Sequence, residues 1–265
     1  MKVLLTGGSG FVGGQLARLL VARGHEVVAL VRRSSKVDGL KSLGVRIAIA
    51  DLHTGDGVDE AAQGVEVVQH VAGVTKARTE EDYLRGNAET TRMLASVLAR
   101  QKRPPRLVVC SSLAAAGPAR IGKPRTEDEQ PAPVSMYGRS KLAAERGKTL
   151  SGENPTQGIY FASDPTPYSW EDFCIALSRA LGRGKPKVVS VPQVVGWATG
   201  AGAELGSRLL GKVSIMNRDK AKEMAQEAWT CSPARATQEI GFQAEYPLDP
   251  GLENTVAWYR TQGLA

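Results

Sequence analysis

Three side chains in the middle of the sequence could together handle a proton and a polar substrate oxygen. Ser112 lies in the segment VVCSSLAAAG, and Tyr137 and Lys141 lie in the segment YGRSK. Because Tyr137 and Lys141 are four positions apart, they share one face of a helix. A free tyrosine has a pKa of about 10, and a neighbouring ammonium lowers it by favouring the phenolate. Tyr137 is therefore a candidate acid/base, and Ser112 could orient the substrate oxygen.

The elements that must position these residues follow an alternating strand and helix pattern. Short apolar runs predict strands, and apolar residues at helical spacing predict helices between them. The predicted strands cover residues 3–6, 27–31, 46–50, 65–71 and 107–111, and the main predicted helices cover 11–23 and 80–100. This order predicts an α/β fold with a doubly wound parallel sheet, in which ligands bind beyond the carboxyl ends of the strands.

A glycine-rich turn joins the first predicted strand to the first predicted helix. The segment LLTGGSGFVGGQLARLL places Gly7, Gly10 and Gly13 at G-x-x-G-x-x-G spacing. Such glycines allow a tight turn and let backbone N–H groups approach a pyrophosphate at the helix N-terminus. We therefore expect Gly7, Gly10, Phe11, Val12 and Gly13 to contact a dinucleotide cofactor.

The residues after the second predicted strand bear on the choice of cofactor. A site for NAD(H) usually has Asp or Glu here, about 20 residues after the glycine turn, to bind the ribose hydroxyls. This sequence instead reads LVRRSS, with Arg32 followed by Arg33. A guanidinium can bind a 2′-phosphate through two hydrogen bonds, so NADP(H) is favoured over NAD(H).

Several motifs in the first 145 residues resemble one protein family. They are the glycine turn, ADL (50–52), HVAGVT (70–75), Asn87, VVCSSLAAAG and YGRSK, in that order. This set resembles the extended short-chain dehydrogenase/reductase family, of the NAD-dependent epimerase/dehydratase type. The later segments YSWEDFCIALSRALGR and WYRTQGLA resemble the C-terminal lobe of its 3β-hydroxysteroid dehydrogenase-like branch.

The resemblance assigns roles to further residues. It implies that Asp51 and Leu52 line the adenine, that Ala72 and Gly73 lie close to the cofactor, and that Asn87 supports the active-site helix.

The resemblance also implies roles around the proposed acid/base. Ser112 matches the family's catalytic serine, Lys141 would also hold the nicotinamide ribose, and Ser111 is expected to contact the cofactor. His70, at the end of a predicted buried strand, is interpreted as structural rather than catalytic.

The family implies a choice between two reactions. One is an NAD(P)-dependent interconversion of a secondary alcohol and a ketone, in which Tyr137 is the acid/base. The alternative is a sugar-nucleotide epimerase. A dehydratase is disfavoured, because the residues after Ser112 are apolar instead of an acidic pair.

A segment expected in this family is missing from the sequence. Only 17 residues separate Lys141 from Ile159, whereas a parallel crossover alone needs a dozen or more. We infer an internal deletion, with its junction within residues 142–147, where two similar helices would be fused. Enzymatic activity is therefore uncertain, and a non-catalytic nucleotide-binding form is a further alternative.

Length and composition limit the other expectations. The chain of 265 residues has three widely spaced cysteines and a formal charge of +7. We expect a Rossmann-like domain at 1–150, a smaller and mostly helical substrate lobe at 151–265, and no metal site. The expected ligand is a small-molecule substrate, which could be bulky and apolar. Nucleic-acid binding is not expected because no aromatic residues accompany the basic run 99–106.

The same features set expectations for assembly and location. The N-terminal apolar run is too short for a signal peptide, and the glycine-interrupted region 191–210 is not expected to span a membrane. We therefore expect a cytoplasmic protein without a transmembrane segment, which could form a homodimer.

Overall fold

The computed structural model describes residues 1–147, 158–187, 189, 218–261 and 263. Among these residues the chain forms two compact units. The first contains Met1–Gly117 and residues 131–147, and the second contains Pro118–Gln130 and the described residues from 158 onward. The glycine-interrupted region 191–210 lies outside the described residues.

A parallel sheet organises the first unit. In the described residues it has five strands in the order β3-β2-β1-β4-β5. The strands are β1 (Lys2–Thr6), β2 (Glu26–Val31), β3 (Arg46–Ile49), β4 (Val67–His70) and β5 (Arg106–Val109). Each pairs in parallel with its neighbour, so all five carboxyl ends lie at one edge of the sheet. The predicted doubly wound fold is confirmed.

Helices connect these strands and bury both faces of the sheet. They are α1 (Phe11–Ala22), α2 (Asp38–Lys41), α3 (Val58–Ala62), α4 (Glu80–Leu84), α5 (Thr90–Ala99), α6 (Leu113–Ala116) and α7 (Met136–Gly147). Leu4, Val68 and Leu94 belong to the core on one face, and Leu5, Ala17 and Ala29 belong to the core on the other. Alternate residues of each strand thus face opposite cores, as strand geometry requires.

A π-helical turn interrupts the long helix that the sequence predicts over residues 80–100. The turn covers Arg85–Glu89 and contains Asn87. Such turns are rare, and they are frequent at functional sites. The turn brings the buried Asn87 amide opposite the backbone of Val74.

The strand β5 forms one edge of the sheet within the part of the chain that the structure describes. Its Val108 side chain is 41% exposed, although the residue is apolar. The helix α7 is continuous through residues 142–147, where the deletion junction is predicted. The junction itself stays a prediction.

The second unit contains α8 (Trp170–Ala180), α9 (Arg218–Met224), α10 (Ala234–Ile240) and α11 (Leu248–Thr261). Ser169 is the N-cap of α8, where Ser169 and Asp172 form a reciprocal capping box. The segment Pro118–Gln130 is tied to this unit by bridges from Ala119 to Ala228 and from Arg125 to Cys231. The predicted division of the chain at residue 150 stays a prediction.

Candidate active site and cofactor site

The glycine turn after β1 is shaped for close contact between backbones. Gly7 has a φ of +73°, and a β-carbon there would lie 2.6 Å from the Ala72 nitrogen. A β-carbon at Gly13 would lie 2.2 Å from the Gly7 carbonyl oxygen. Side chains at these positions are therefore excluded, and α1 begins directly against the turn. Gly10 is the N-cap of α1 without a side-chain cap, and Phe11 and Val12 are exposed at its first turn.

An open pocket of about 460 Å³ lies beyond the ends of β2 and β3. It is lined by Arg32, Arg33, Ser34, Ile49, Ala50, Asp51, Asp56 and Gly57. The predicted residues Arg32 and Asp51 are thus brought together. Leu52 packs against the core of the first unit. Ser34, Asp56 and Gly57 were not predicted, because nothing in their spacing distinguishes them from ordinary loop residues.

The two acids of this pocket are held by nearby donors. Asp51 accepts a hydrogen bond of 2.7 Å from the His53 backbone N–H, and Asp56 accepts one of 2.7 Å from the Thr54 hydroxyl. Arg32 and Arg33 are exposed, and within the described residues neither guanidinium forms an ion pair. The pocket and the glycine turn therefore fit the adenosine and pyrophosphate parts of a dinucleotide cofactor.

Lys141 is buried beside the end of β5. The residue is only 6% exposed, and its Nζ donates a hydrogen bond of 2.6 Å to the Cys110 carbonyl. Burial lowers the pKa of Lys141, while the neighbouring Cys110 and Glu145 act in the opposite direction. The Lys141 ammonium therefore loses its proton more readily here than it would in water. The hydrogen bond to Cys110 fixes the position of the Nζ atom.

Ser112 caps the short helix α6 and Tyr137 lies at the start of α7, and these two helices are in tight contact. Ser112 is the N-cap of α6, where its Oγ accepts a hydrogen bond of 3.2 Å from the Ala114 N–H. A β-carbon at Gly138 would lie 2.3 Å from the Ala114 carbonyl oxygen, so α7 approaches α6 beside Tyr137. Tyr137 is half-buried, and its ring centroid lies 5.9 Å from that of the buried Tyr83.

Asn87 connects the turn after β4 to the helix that carries Tyr137. Its Oδ1 accepts a hydrogen bond of 2.7 Å from the Val74 N–H, and its Nδ2 donates one of 2.9 Å to the Ser140 hydroxyl. Ser140 in turn donates a hydrogen bond of 2.7 Å to the Tyr137 carbonyl. The amide thereby supports α7 directly beneath Tyr137. Ser140 was missed from the sequence, although its position three residues after Tyr137 was a usable signal.

Gly73 lies at the centre of these residues. A β-carbon there would be 3.0 Å from Asn87 Oδ1 and 3.9 Å from Lys141 Nζ.

Ser111 donates a hydrogen bond to the carboxylate of Glu145, a residue that was not predicted from the sequence. Glu145 lies one helical turn after Lys141, so the periodicity of α7 could have suggested it.

His70 is buried, and both of its ring nitrogens have partners. The Nδ1 atom lies 2.7 Å from the Thr6 hydroxyl, and the Nε2 atom lies 3.0 Å from the Thr91 hydroxyl. Burial, assisted by the charge of Lys141, lowers the pKa of His70 to about 4. This agrees with the interpretation of His70 as a structural residue, since a ring that stays neutral makes a poor proton acceptor at neutral pH.

A comparison with known proteins gives the family of this chain. Residues 3–153 match the model of the NAD dependent epimerase/dehydratase family, so the chain belongs to that family. This confirms the resemblance predicted from the motifs, and it makes the cofactor one of the nicotinamide dinucleotides.

None of the helices in the described part of the chain has both the length and the apolar character needed to span a membrane.

Particular relatives are similar over most of the chain. A ceramide reductase of Caulobacter vibrioides is 28% identical, over 98% of this chain and 95% of that protein. A decarboxylating sterol-4-alpha-carboxylate 3-dehydrogenase of Dictyostelium discoideum is 28% identical, over 74% of this chain and 54% of that protein. Both names describe oxidoreductases, which is the type of chemistry predicted from the sequence.

A solved structure shows the same fold. The UDP-glucuronic acid 4-epimerase of Bacillus cereus, crystallised as a point mutant in complex with a fluorinated UDP-sugar and NAD, has a TM-score of 0.67 and 18% identity. The match covers 99% of this chain and 100% of that chain.

The length of one alignment bears on the missing segment. The match to the Caulobacter protein extends over 306 residues, whereas this chain has 265. The relative therefore has residues without counterparts here.

Proposed function

We propose that this protein is an NAD(P)-dependent oxidoreductase that interconverts a secondary alcohol and a ketone. The observation that carries the proposal is the hydrogen bond from the buried Lys141 to the Cys110 carbonyl. The helix that Ser112 caps and the turn that contains Asn87 both lie next to α7, the helix that carries Lys141. When bound, the nicotinamide would exchange a hydride with the substrate carbon. The protein's own part is to hold the reactants and to move one proton.

The roles of the protein side chains follow from their positions. The Ser112 hydroxyl already accepts a backbone N–H, which leaves its proton available to donate to a substrate oxygen. Tyr137 would donate a proton to that oxygen in ketone reduction and accept it in alcohol oxidation. The Lys141 ammonium would favour the phenolate of Tyr137 and bind the ribose of the cofactor.

We further propose that NADP(H) is preferred over NAD(H). The exposed Arg32 and Arg33 side chains line the pocket at the end of β2, where a 2′-phosphate would lie. Replacing Arg32 by alanine should weaken NADPH binding by about 10- to 100-fold, since a hydrogen bond to a charged group contributes about 1.5–3 kcal/mol. NADH binding should stay within about twofold.

Cofactor fluorescence titration would measure both affinities. Arg18→Ala is a matched control, because Arg18 is exposed on α1 away from the pocket residues. Equal losses of NADPH and NADH affinity in Arg32→Ala would contradict the proposed preference.

The substrate proposed is a bulky apolar alcohol or ketone. The support is that the two relatives described above are named for ceramide and sterol substrates. The test is oxidation of NADPH in the presence of long-chain ketones, 3-ketosteroids and UDP-sugars, with product analysis by mass spectrometry. Reduction of an apolar ketone would support the proposal.

Two alternatives would give different results in the same assay. The sugar epimerase remains the second candidate because the family includes such enzymes. Because an epimerase first oxidises the sugar, this assay would be supplied with NAD(P)⁺, and a UDP-sugar would then be converted to its isomer without net change in the oxidation state of the cofactor. A non-catalytic nucleotide-binding form is the third, and the residues missing relative to the Caulobacter protein support it. It would bind NADPH and convert none of these substrates.

The homodimer, the cytoplasmic location and the two-domain division at residue 150 stay predictions.

A further inference from the structure

A chain of buried polar groups lies beneath the proposed site and is not used in the chemistry described above. Thr6, His70 and Thr91 are 0%, 1% and 2% exposed. Thr6 and His70 are paired in register at the ends of β1 and β4, so their side chains point to the same face of the sheet. Buried polar groups of this kind are costly unless they are hydrogen-bonded, which makes the direction of each bond informative.

The direction of these bonds can be deduced from the Thr91 end. The Thr91 Oγ1 lies 2.7 Å from the Asn87 carbonyl oxygen, which can only accept, so the Thr91 hydroxyl donates there. Since a hydroxyl has one proton, Thr91 Oγ1 must accept the hydrogen bond of 3.0 Å from His70 Nε2. The Nε2 atom therefore carries the ring proton.

The other end of the ring follows from this result. A neutral ring with a proton on Nε2 has a bare Nδ1, which accepts the hydrogen bond of 2.7 Å donated by the Thr6 hydroxyl. The Thr6 oxygen is then free to accept the 3.1 Å hydrogen bond from the Ala72 N–H. Every hydroxyl and ring proton in the chain of bonds is used once.

We propose that His70, as the neutral tautomer protonated on Nε2, is a positioning residue that aligns the cofactor-facing turn at Ala72 with Asn87. Through Thr6 it holds the backbone of Ala72, next to Gly73. Through Thr91 it holds the carbonyl of Asn87, whose amide supports Ser140 on α7. Only the expected effect of these His70 contacts on turnover rests on the proposed function.

The two branches predict different kinetic effects. Thr6→Val removes the acceptor for the Ala72 N–H, so the Kd for NADPH should rise about fivefold, as expected for one lost hydrogen bond. The kcat at saturating cofactor should stay within about twofold. Thr91→Val removes the support for Asn87, so kcat should fall about fivefold while the Kd for NADPH stays within about twofold.

The control variant is Thr255→Val. Thr255 lies on α11 in the second unit, and its Oγ1 donates a comparable hydrogen bond of 2.7 Å to the Gly251 carbonyl. It should change neither the Kd for NADPH nor kcat. If Thr6→Val binds NADPH as tightly as Thr255→Val does, the proposal is wrong.

A second measurement reads the tautomer directly and needs no activity. The nitrogen chemical shifts of the His70 ring should show a protonated Nε2 and a bare Nδ1 from pH 8 down to pH 5. The charged group that acts on this ring, Lys141, lowers its pKa together with burial. A proton on Nδ1, or a ring charged at pH 6, would overturn the proposal.

The outcomes separate this inference from the proposed function. If no ketone or alcohol is converted by the wild type, the proposed function fails. The ring shifts and the NADPH affinity of Thr6→Val then still decide the role of His70. If turnover is found but the Thr6 and Thr91 variants lose affinity and kcat together, the division into two branches is refuted.

Discussion

The buried His70 ring should make folding stability depend on pH in a way that one substitution removes. The ring is neutral in the folded chain because burial lowers its pKa from 6.5 to about 4. In the unfolded chain it takes up a proton below pH 6.5. The unfolded state thus binds more protons than the folded state between these values, and stability falls as the pH falls through this window.

The size of the effect follows from the same two values. A shift of one unit corresponds to about 1.4 kcal/mol, so the full loss by pH 4 is about 3 kcal/mol. At pH 5 the loss relative to pH 7.5 is about 2 kcal/mol. His70→Gln has no titrating ring, so it should be less stable at pH 7.5 but lack this component of the pH dependence.

The assay must report on the first unit. All four tryptophans lie at positions 170, 197, 229 and 258, so their fluorescence does not serve this purpose. Hydrogen exchange of the β1 and β4 amides, measured by mass spectrometry at pH 7.5 and 5, follows the strands that carry Thr6 and His70. The exchange rates have to be corrected for the intrinsic effect of pH.

A matched control is His53→Gln, which replaces a histidine exposed to solvent. It should keep the pH dependence of the wild type. An identical loss of protection between pH 7.5 and 5 in the wild type and in His70→Gln would refute the account of the buried ring.

Two further substitutions test the turn and the second unit. Gly13→Ala should lower stability by about 1–3 kcal/mol and weaken NADPH binding, because its β-carbon would meet the Gly7 carbonyl at 2.2 Å. Both effects would be measured by urea unfolding and cofactor titration, with Gly14→Ala as the control. A β-carbon at Gly14 would lie 3.6 Å from the Gly8 oxygen, so the stability of Gly14→Ala should stay the same or rise by up to about 1 kcal/mol. Ser169→Ala should cost about 1 kcal/mol by removing the cap on the Asp172 N–H, measured by tryptophan fluorescence in urea; an unchanged midpoint would contradict this.

The sequence was sufficient for the parts of the fold that depend on local patterns. The alternation of strands and helices, the glycine turn and the Ser169 cap are all encoded within a few residues of one another. The π-helical turn at Arg85–Glu89 was not predicted; it contains Asn87, whose amide is hydrogen-bonded to Ser140, 53 positions away. Apolar spacing alone predicts a regular helix there.

The candidate site was predictable where motifs carry the chemistry. Tyr137, Lys141 and Arg32 were selected by residue type and spacing, and Asn87 was selected by the family resemblance. The hydrogen-bond partners of His70 were not predicted, because Thr6 and Thr91 are 64 and 21 positions away. The pairing of β1 with β4 brings Thr6 to the ring, and the position of α5 in the fold brings Thr91 to it. The association of Pro118–Gln130 with the second unit likewise depends on pairing with residues near 228 and 231.

The measurement that tests the central claim most directly is the NADPH-dependent turnover of Tyr137→Phe beside Tyr83→Phe. The two rings lie 5.9 Å apart, and the Tyr83 hydroxyl donates a long hydrogen bond of 3.4 Å to the Thr75 carbonyl. We expect Tyr137→Phe to lower kcat by about 10²–10⁴-fold at unchanged NADPH affinity, while Tyr83→Phe retains turnover within a few-fold. Equal turnover in Tyr137→Phe and the wild type would contradict the assignment of Tyr137 as the acid/base.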